Sequence, residues 1–328
     1  MYVITGGAGF IGSNVAAALE ARGAGPLVIV DRLRDGDKWR NLAKRTLHDI
    51  VHPDNVHLFL KANAHAVKGI VHMGAISATT ETDADRVIEN NFRLSRDLWL
   101  WSAEHNIPYI YASSAATYGD GAEGFDDDMS PEALNRLRPL NPYGWSKLLF
   151  DKWVAQALAA GHARPDQWAG LRFFNVYGAN EYHKGRMASV VSQIQPLAAK
   201  AETCRLFKSH HPDYEDGGQL RDFVAVDDCV NVICWLLETP SVSGLFNLGT
   251  GKARSFADLA RAVYAAMGRD FKVEYVPTPE DIRDKYQYFT EANMSRLRDA
   301  GYTGQFTSIE DGVGRYVRDY LAADDPYR

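Results

Sequence analysis

The chain has 328 residues, 46% of them apolar, with 36 Lys and Arg against 42 Asp and Glu for a net charge of −6. That composition excludes disorder, a collagen-like repeat and a small disulfide scaffold; at roughly 150 residues per domain it predicts about two domains, each able to bury a core. No dense basic stretch interrupts the acidic balance, so no nucleic-acid partner is expected.

The apolar runs, such as Cys229–Leu237, fall well short of the roughly 18 residues that cross a bilayer, so no membrane association is predicted. Residues Met1–Thr5 read as a first strand rather than a leader, which predicts a cytoplasmic protein. Cys204, Cys229 and Cys234 lack the paired spacing of a zinc site or redox dithiol and read as reduced core residues.

In chain order, strands are predicted at Tyr2–Thr5, Leu27–Asp31, Val56–Leu60, Gly69–Met73, Pro108–Ala112 and Gln167–Phe173. Helices are predicted between them at Ile11–Ala21, Arg40–Val51, Glu81–His105 and Tyr143–Ala159. The alternation of strand and helix implies an α/β fold, a doubly wound parallel Rossmann sheet with right-handed crossovers. Beyond Asn175 the alternation loosens into loops and helices near Met187–Lys200, Asp227–Leu237, Phe256–Met267 and Ile309–Leu321. A dinucleotide-binding domain of residues 1–174 with part of 220–250 is therefore expected, and a smaller α/β substrate domain of 175–219 and 251–328. The polar stretch Ser209–Gln219 reads as a flexible surface loop.

The first strand runs into Gly6-Gly7-Ala8-Gly9-Phe10-Ile11-Gly12 and then a helix, the setting a dinucleotide turn requires. Gly7 is expected to make the tight turn, Gly9 to let backbone amides approach a pyrophosphate, and Gly12 to let helix and strand pack closely. Asp31, ending the second strand, suits an adenosine ribose, which favours NAD. Arg32, Arg34, Lys38 and Arg40 follow it and could hold a 2′-phosphate, so NADP is the predicted cofactor, with NAD the alternative. Downstream, Tyr143 and Lys147 stand four apart on one helical face, and Ser113-Ser114 ends a strand whose C-terminal end faces the ligand crevice.

Together these features resemble the extended short-chain dehydrogenase/reductase superfamily. Asn90-Asn91, Arg172-Phe173-Phe174-Asn175-Val176-Tyr177-Gly178, Arg221-Asp222-Phe223-Val224 and Phe246-Asn247-Leu248-Gly249-Thr250-Gly251 sharpen the likeness toward its sugar-nucleotide enzymes. Within it the chain is most similar to the ADP-L-glycero-D-manno-heptose 6-epimerases, through Asp35-Gly36-Asp37-Lys38, Tyr111–Gly119, His183-Lys184-Gly185-Arg186-Met187-Ala188-Ser189 and Lys285-Tyr286-Gln287. The likeness spans the chain.

That resemblance implies an NADP-dependent isomerase, a homo-oligomer and by family a pentamer, acting on ADP-heptose for lipopolysaccharide core assembly. It makes Tyr143 and Lys184 the two acid/base groups, with Ser114 placing the reacting oxygen and Lys147 holding the nicotinamide ribose and lowering the Tyr143 pKa. It assigns the cofactor to Gly6, Gly9, Phe10, Ile11 and Gly12, to Asp31, Arg32 and Lys38, to Met73, Gly74, Ala75, Ile76 and Ser77, and to Asn90, Lys147, Val176 and Lys184. It assigns the substrate to Ser114, Asn175, Arg186, Gln193, Phe207, His210, Arg221 and Tyr286, and it requires no metal. Met73, Pro142, Ala179 and Gln193 depart from the family pattern. Other readings are a sugar-nucleotide 4-epimerase or 4,6-dehydratase, or a dinucleotide-binding sensor without activity. Ser113–Tyr118 carries no Asp or Glu, which counts against a dehydratase, and a sensor has no use for the proton-transfer groups.

Overall fold

A computed structural model describes residues 1–283 and 287–328. Seven strands form the central sheet: β1 (Tyr2–Thr5), β2 (Leu27–Val30), β3 (Asp49–Val51), β4 (Gly69–His72), β5 (Tyr109–Ser114), β6 (Trp168–Phe173) and β11 (Gly244–Leu248). They lie in the order β11-β6-β5-β4-β1-β2-β3, and every pairing is parallel. This is the doubly wound sheet the alternation predicts, and its strand order reverses between β1 and β4, where such sheets open a ligand crevice.

Alternate residues on each strand feed opposite layers. On β1, Val3 joins a core with Leu98, Trp99, Phe150 and Val154, whereas Ile4 joins one with Val15, Leu19, Val230 and Ile233. The first layer belongs to α2 (Val56–Asn63), the helical run of α3 (Ala84–Val87) and α4 (Leu94–His105), and α6 (Pro142–Ala159); α5 (Pro131–Arg136) leads into α6. The second belongs to α1 (Phe10–Ala21) and α8 (Val226–Glu238).

Two predicted elements are corrected. Val56–Leu60 is helical, not a strand: Val56 and Leu60, four apart, are fully buried while Leu58 is 73% exposed, a helical and not an alternating pattern. The predicted helix Arg40–Val51 is instead a 3₁₀ turn at Asp37–Leu42 followed by the short edge strand β3.

A second core gathers around Tyr177, Val191, Leu206, Val263 and Val313. It is built from α7 (Val190–Ala199), α9 (Phe256–Ala266) and α10 (Ile309–Tyr316) with short strand pairs: β7 (Asn175–Tyr177) beside β10 (Phe223–Ala225), β8 (Cys204–Phe207) beside β13 (Val273–Val276), and β9 (Leu220–Arg221) beside β12 (Arg254–Ser255). Among the described residues no helix is long and apolar enough to cross a membrane.

Candidate active site

The dinucleotide turn is shaped by glycine. Gly6, at φ +63°, makes the left-handed turn that the sequence assigned to Gly7, and a Cβ on it would lie 2.6 Å from Gly74 Cα. Gly7 is instead pinched against Ile29 and the Ile4 carbonyl, and a Cβ on Gly12 would collide with the Gly6 carbonyl. Gly9 caps α1 without a side-chain hydrogen bond, leaving the first-turn amides of Phe10, Ile11 and Gly12 to a pyrophosphate. The turn therefore fits a dinucleotide.

Asp31 is engaged within the protein: Oδ2 accepts from the Ala8 amide at 2.9 Å, and Oδ1 accepts from the Arg32 amide and pairs with the Lys38 ammonium. Arg32 reaches Asp54 at 2.7 Å and Asn90 at 3.0 Å. Arg40 turns away onto the Tyr327 ring. The Met73–Ser77 segment is pinned where the Asn91 carboxamide bonds both the amide and carbonyl of Ile76, in the π-helical turn Ile88–Arg93 that also carries Asn90.

The end of β5 meets the start of α6 because Asn141 caps that helix through the Gly144 amide and Pro142 suits its first position. Gly144 lets the helix lie on the turn after β5; a Cβ there would sit 2.6 Å from the Ala116 carbonyl. This brings the Tyr143 phenol to the Ser114 hydroxyl. Burial raises the Tyr143 pKa, and the hydrogen bond from Ser114 opposes it. Lys147 is buried, donates to the Ala112 carbonyl at 2.7 Å, and burial lowers its pKa to about 8, with Asp151 opposing. In place of the expected pull from Lys147, the group that lowers Tyr143 here is Ser114.

Beneath this pair lies a network the sequence reading missed. Asp151, one helical turn beyond Lys147, accepts from Ser113 at 2.9 Å and pairs with Arg172 at 3.0 Å, both members fully buried. Arg172 also stacks on Tyr118, whose hydroxyl donates to Asn247 at 2.6 Å. His72, bonded to Thr5 and Ser95, is held neutral by burial with a pKa of about 3.

Lys184 sits in the 3₁₀ turn Tyr182–Met187, half-buried, its ammonium 5.2 Å from the centroid of Phe10 at the start of α1. Burial lowers its pKa, and Glu181 opposes. The Glu181 carboxylate is fully buried and accepts from both the amide and the hydroxyl of Ser189 at 2.6 Å, closing residues 181–189 into a loop. Arg186 is exposed on that loop, and Gln193 donates to the Ala188 carbonyl at 2.8 Å.

Two of the remaining predicted substrate residues, Arg221 and His210, meet residues 287–288. Arg221 donates to the Gln287 carbonyl, the His210 amide donates to the Tyr288 hydroxyl, and Gln287 reaches back to the Gly119 carbonyl on the turn beyond Ser114. Phe207 ends β8, Asn175 is exposed at the start of β7, and Val176 follows it. Tyr286 lies outside the described residues. The Ser209–Gln219 loop is closed by the Ser209 amide on Asp216 and by His211 and Tyr288 packing on Tyr214.

Residues 2–249 match the model of the NAD dependent epimerase/dehydratase family. The chain belongs to that family. It is 52% identical to the ADP-L-glycero-D-manno-heptose-6-epimerase of Nitratidesulfovibrio vulgaris strain DP4 over all of both chains, and 48% identical to that of Fusobacterium nucleatum subsp. nucleatum, again over full length. Its fold matches the Helicobacter pylori ADP-L-glycero-D-manno-heptose-6-epimerase structure with TM-score 0.78 at 27% identity, covering 97% of this chain and 95% of that one. This member of the epimerase/dehydratase family is an enzyme and an epimerase, hence an isomerase, on a Rossmann sheet suited to a nicotinamide dinucleotide.

Proposed function

We propose that the chain interconverts ADP-D-glycero-D-manno-heptose and ADP-L-glycero-D-manno-heptose by inverting C6 through oxidation and re-reduction. The reading is supported by relatives about half identical over the full length and is carried by one observation: a second amine, Lys184, stands half-buried beside the dinucleotide turn in addition to the Tyr143–Ser114 pair.

A bound nicotinamide dinucleotide supplies the hydride acceptor and donor. Inversion requires the oxidised sugar to present its other face, so its oxygen needs a proton partner in each orientation. Tyr143 Oη exchanges the proton with the C6 oxygen in one orientation, with the Ser114 hydroxyl placing that oxygen. Lys184 Nζ does so in the other. Lys147, held by the Ala112 carbonyl, fixes the ribose next to the reacting carbon. The Arg221 guanidinium matches the substrate's pyrophosphate, with Asn175, Arg186, Gln193, Phe207 and His210 around the sugar and base.

NADP is the preferred dinucleotide. Both oxygens of Asp31 are occupied by two backbone amides and Lys38, so the carboxylate is neutralised where a 2′-phosphate would lie and is not presented to a ribose hydroxyl. We further propose a cytoplasmic homo-oligomer, a pentamer by family, whose product serves lipopolysaccharide core assembly. Its dinucleotide domain is 1–174 with part of 220–250, and its substrate domain is 175–219 with 251–328.

The test is NMR of the purified protein with ADP-D-glycero-D-manno-heptose and no added cofactor. Appearance of the L-glycero epimer is the expected result. No conversion even with added NADP overturns the heptose assignment and directs the search to UDP-, GDP- and dTDP-sugars.

A further inference from the structure

Lys184 acts from a loop, and a loop holds a proton donor in place only if something rigid holds the loop. On the dinucleotide side one side chain that holds it is Asn41, in the 3₁₀ turn Asp37–Leu42 and 1% exposed, with Asn14 on α1 reaching the neighbouring Ala179 carbonyl at 2.9 Å. Its Nδ2 donates to the Ala8 carbonyl at 2.9 Å and to the Asn180 carbonyl at 3.1 Å, and lies 3.2 Å from His183 Nδ1.

The other end of the same amide has no partner: Asn41 Oδ1 is buried without a donor among the described residues. Reversing the amide would set its oxygen against two carbonyl oxygens, so the donors fix its orientation and the orphaned acceptor is the consequence. Both flanks are rigid. The Ala8 amide is bonded to Asp31, and the fully buried Asn180, at φ +70°, donates its own amide to Ser13 on α1.

We infer that Asn41 is a positioning residue for Lys184: by donating its two N–H groups to the Ala8 and Asn180 carbonyls, with His183 Nδ1 sharing one of them, it fixes the acid/base loop against the dinucleotide turn. The inference rests on Lys184 being an acid/base group of the epimerisation. Desolvation and the nearby Lys38 and Lys184 hold the His183 pKa below its usual value, which leaves Nδ1 able to share, as a third acceptor, one of the two N–H groups that Asn41 gives to the carbonyls.

The experiment compares cofactor-loaded wild-type protein with Asn41→Ala and His183→Ala by steady-state kinetics, by dinucleotide affinity, and by amide hydrogen exchange of peptides covering 181–189. Displacement of a reacting group by about 1 Å can cost on the order of 100-fold. The expected result is a kcat lower by about 10- to 100-fold, with KM and dinucleotide Kd within about threefold and faster exchange confined to 181–189. The double variant should lose no more than Asn41→Ala alone, because both changes cut one bridge. If Asn41→Ala does not fold, His183→Ala cuts the same bridge from its exposed end and decides the matter. Unchanged exchange in 181–189, or a rise in KM with kcat intact, overturns the inference. Faster exchange in 181–189 when the wild type itself turns over no ADP-heptose would sink the heptose reading and leave the Asn41 bridge standing.

Discussion

The ammonium of Lys184 stands 5.2 Å from the ring centroid of Phe10, the residue that opens α1 directly behind the dinucleotide turn. Burial disfavours the cation while the Glu181 carboxylate favours it, and burial prevails: the pKa is lowered. The protonated donor is therefore lost earlier on raising the pH than for an exposed lysine, whose pKa is about 10.4. The alkaline limb of the rate profile should fall below that value. Lys184→Met should reduce epimerisation by about 10²- to 10⁴-fold, and Lys184→Arg should not restore it, because a guanidinium keeps the charge and cannot give up its proton. Full activity in the arginine variant would show that Lys184 contributes charge alone.

Tyr143→Phe removes the other proton partner and should cost about 10²- to 10⁴-fold in kcat with dinucleotide affinity retained, measured by turnover and by cofactor fluorescence titration. Ser114→Ala makes a subtler test. The serine hydroxyl lowers the Tyr143 pKa against burial, so its loss should push the phenol higher. At a given pH less phenolate is then present, and the acidic limb of the rate profile should move to higher pH. A limb that stays in place would mean that Ser114 orients substrate without tuning the tyrosine.

Much of this arrangement is legible in the sequence, for physical reasons. Buried parallel strands must be apolar on both faces, so Leu27–Val30 and Gly69–His72 announce themselves as runs of Val and Ile. The same logic misreads Val56-His57-Leu58-Phe59-Leu60, where the run is apolar but only one helical face is covered. Motifs fixed by backbone sterics, such as the glycine turn, are readable to within one residue: the left-handed position is Gly6 and not Gly7. Asn41, Glu181 and Arg172 are not readable, since their partners Ala8, Ser189 and Asp151 are set by tertiary folding. Asp151 alone left a signal, one helical turn after Lys147.

Dinucleotide preference should follow Lys38. With Lys38→Ala the Asp31 carboxylate loses its counter-charge and repels a 2′-phosphate, so NADP affinity should fall by about 10- to 100-fold while NAD affinity changes little. Arg32→Ala should act in the same direction and more weakly, because Arg32 is shared with Asp54 and Asn90. Equal losses for both dinucleotides, measured by titration calorimetry, would show that Lys38 serves the shared part of the cofactor and would remove the argument for NADP.

Asp151 ties stability to the site. Its carboxylate is enclosed with Arg172, and burial pushes its pKa up while Arg172, Ser113 and Tyr111 hold it down. In Asp151→Asn the guanidinium loses its counter-charge in a dry environment, a change that costs about 3–5 kcal/mol and should lower Tm by roughly 10 °C. The same substitution acts on catalysis through Lys147. Asp151 raises the Lys147 pKa, which burial has brought down to about 8, so in the variant the ammonium should deprotonate at still lower pH. Ribose binding by charged Lys147 would then weaken as pH rises through 7 to 8, and dinucleotide Kd measured across that range should climb earlier in the variant than in the wild type. If Tm falls but the pH dependence of Kd is unmoved, Asp151 supports the fold beneath β5 and α6 without setting the charge of Lys147.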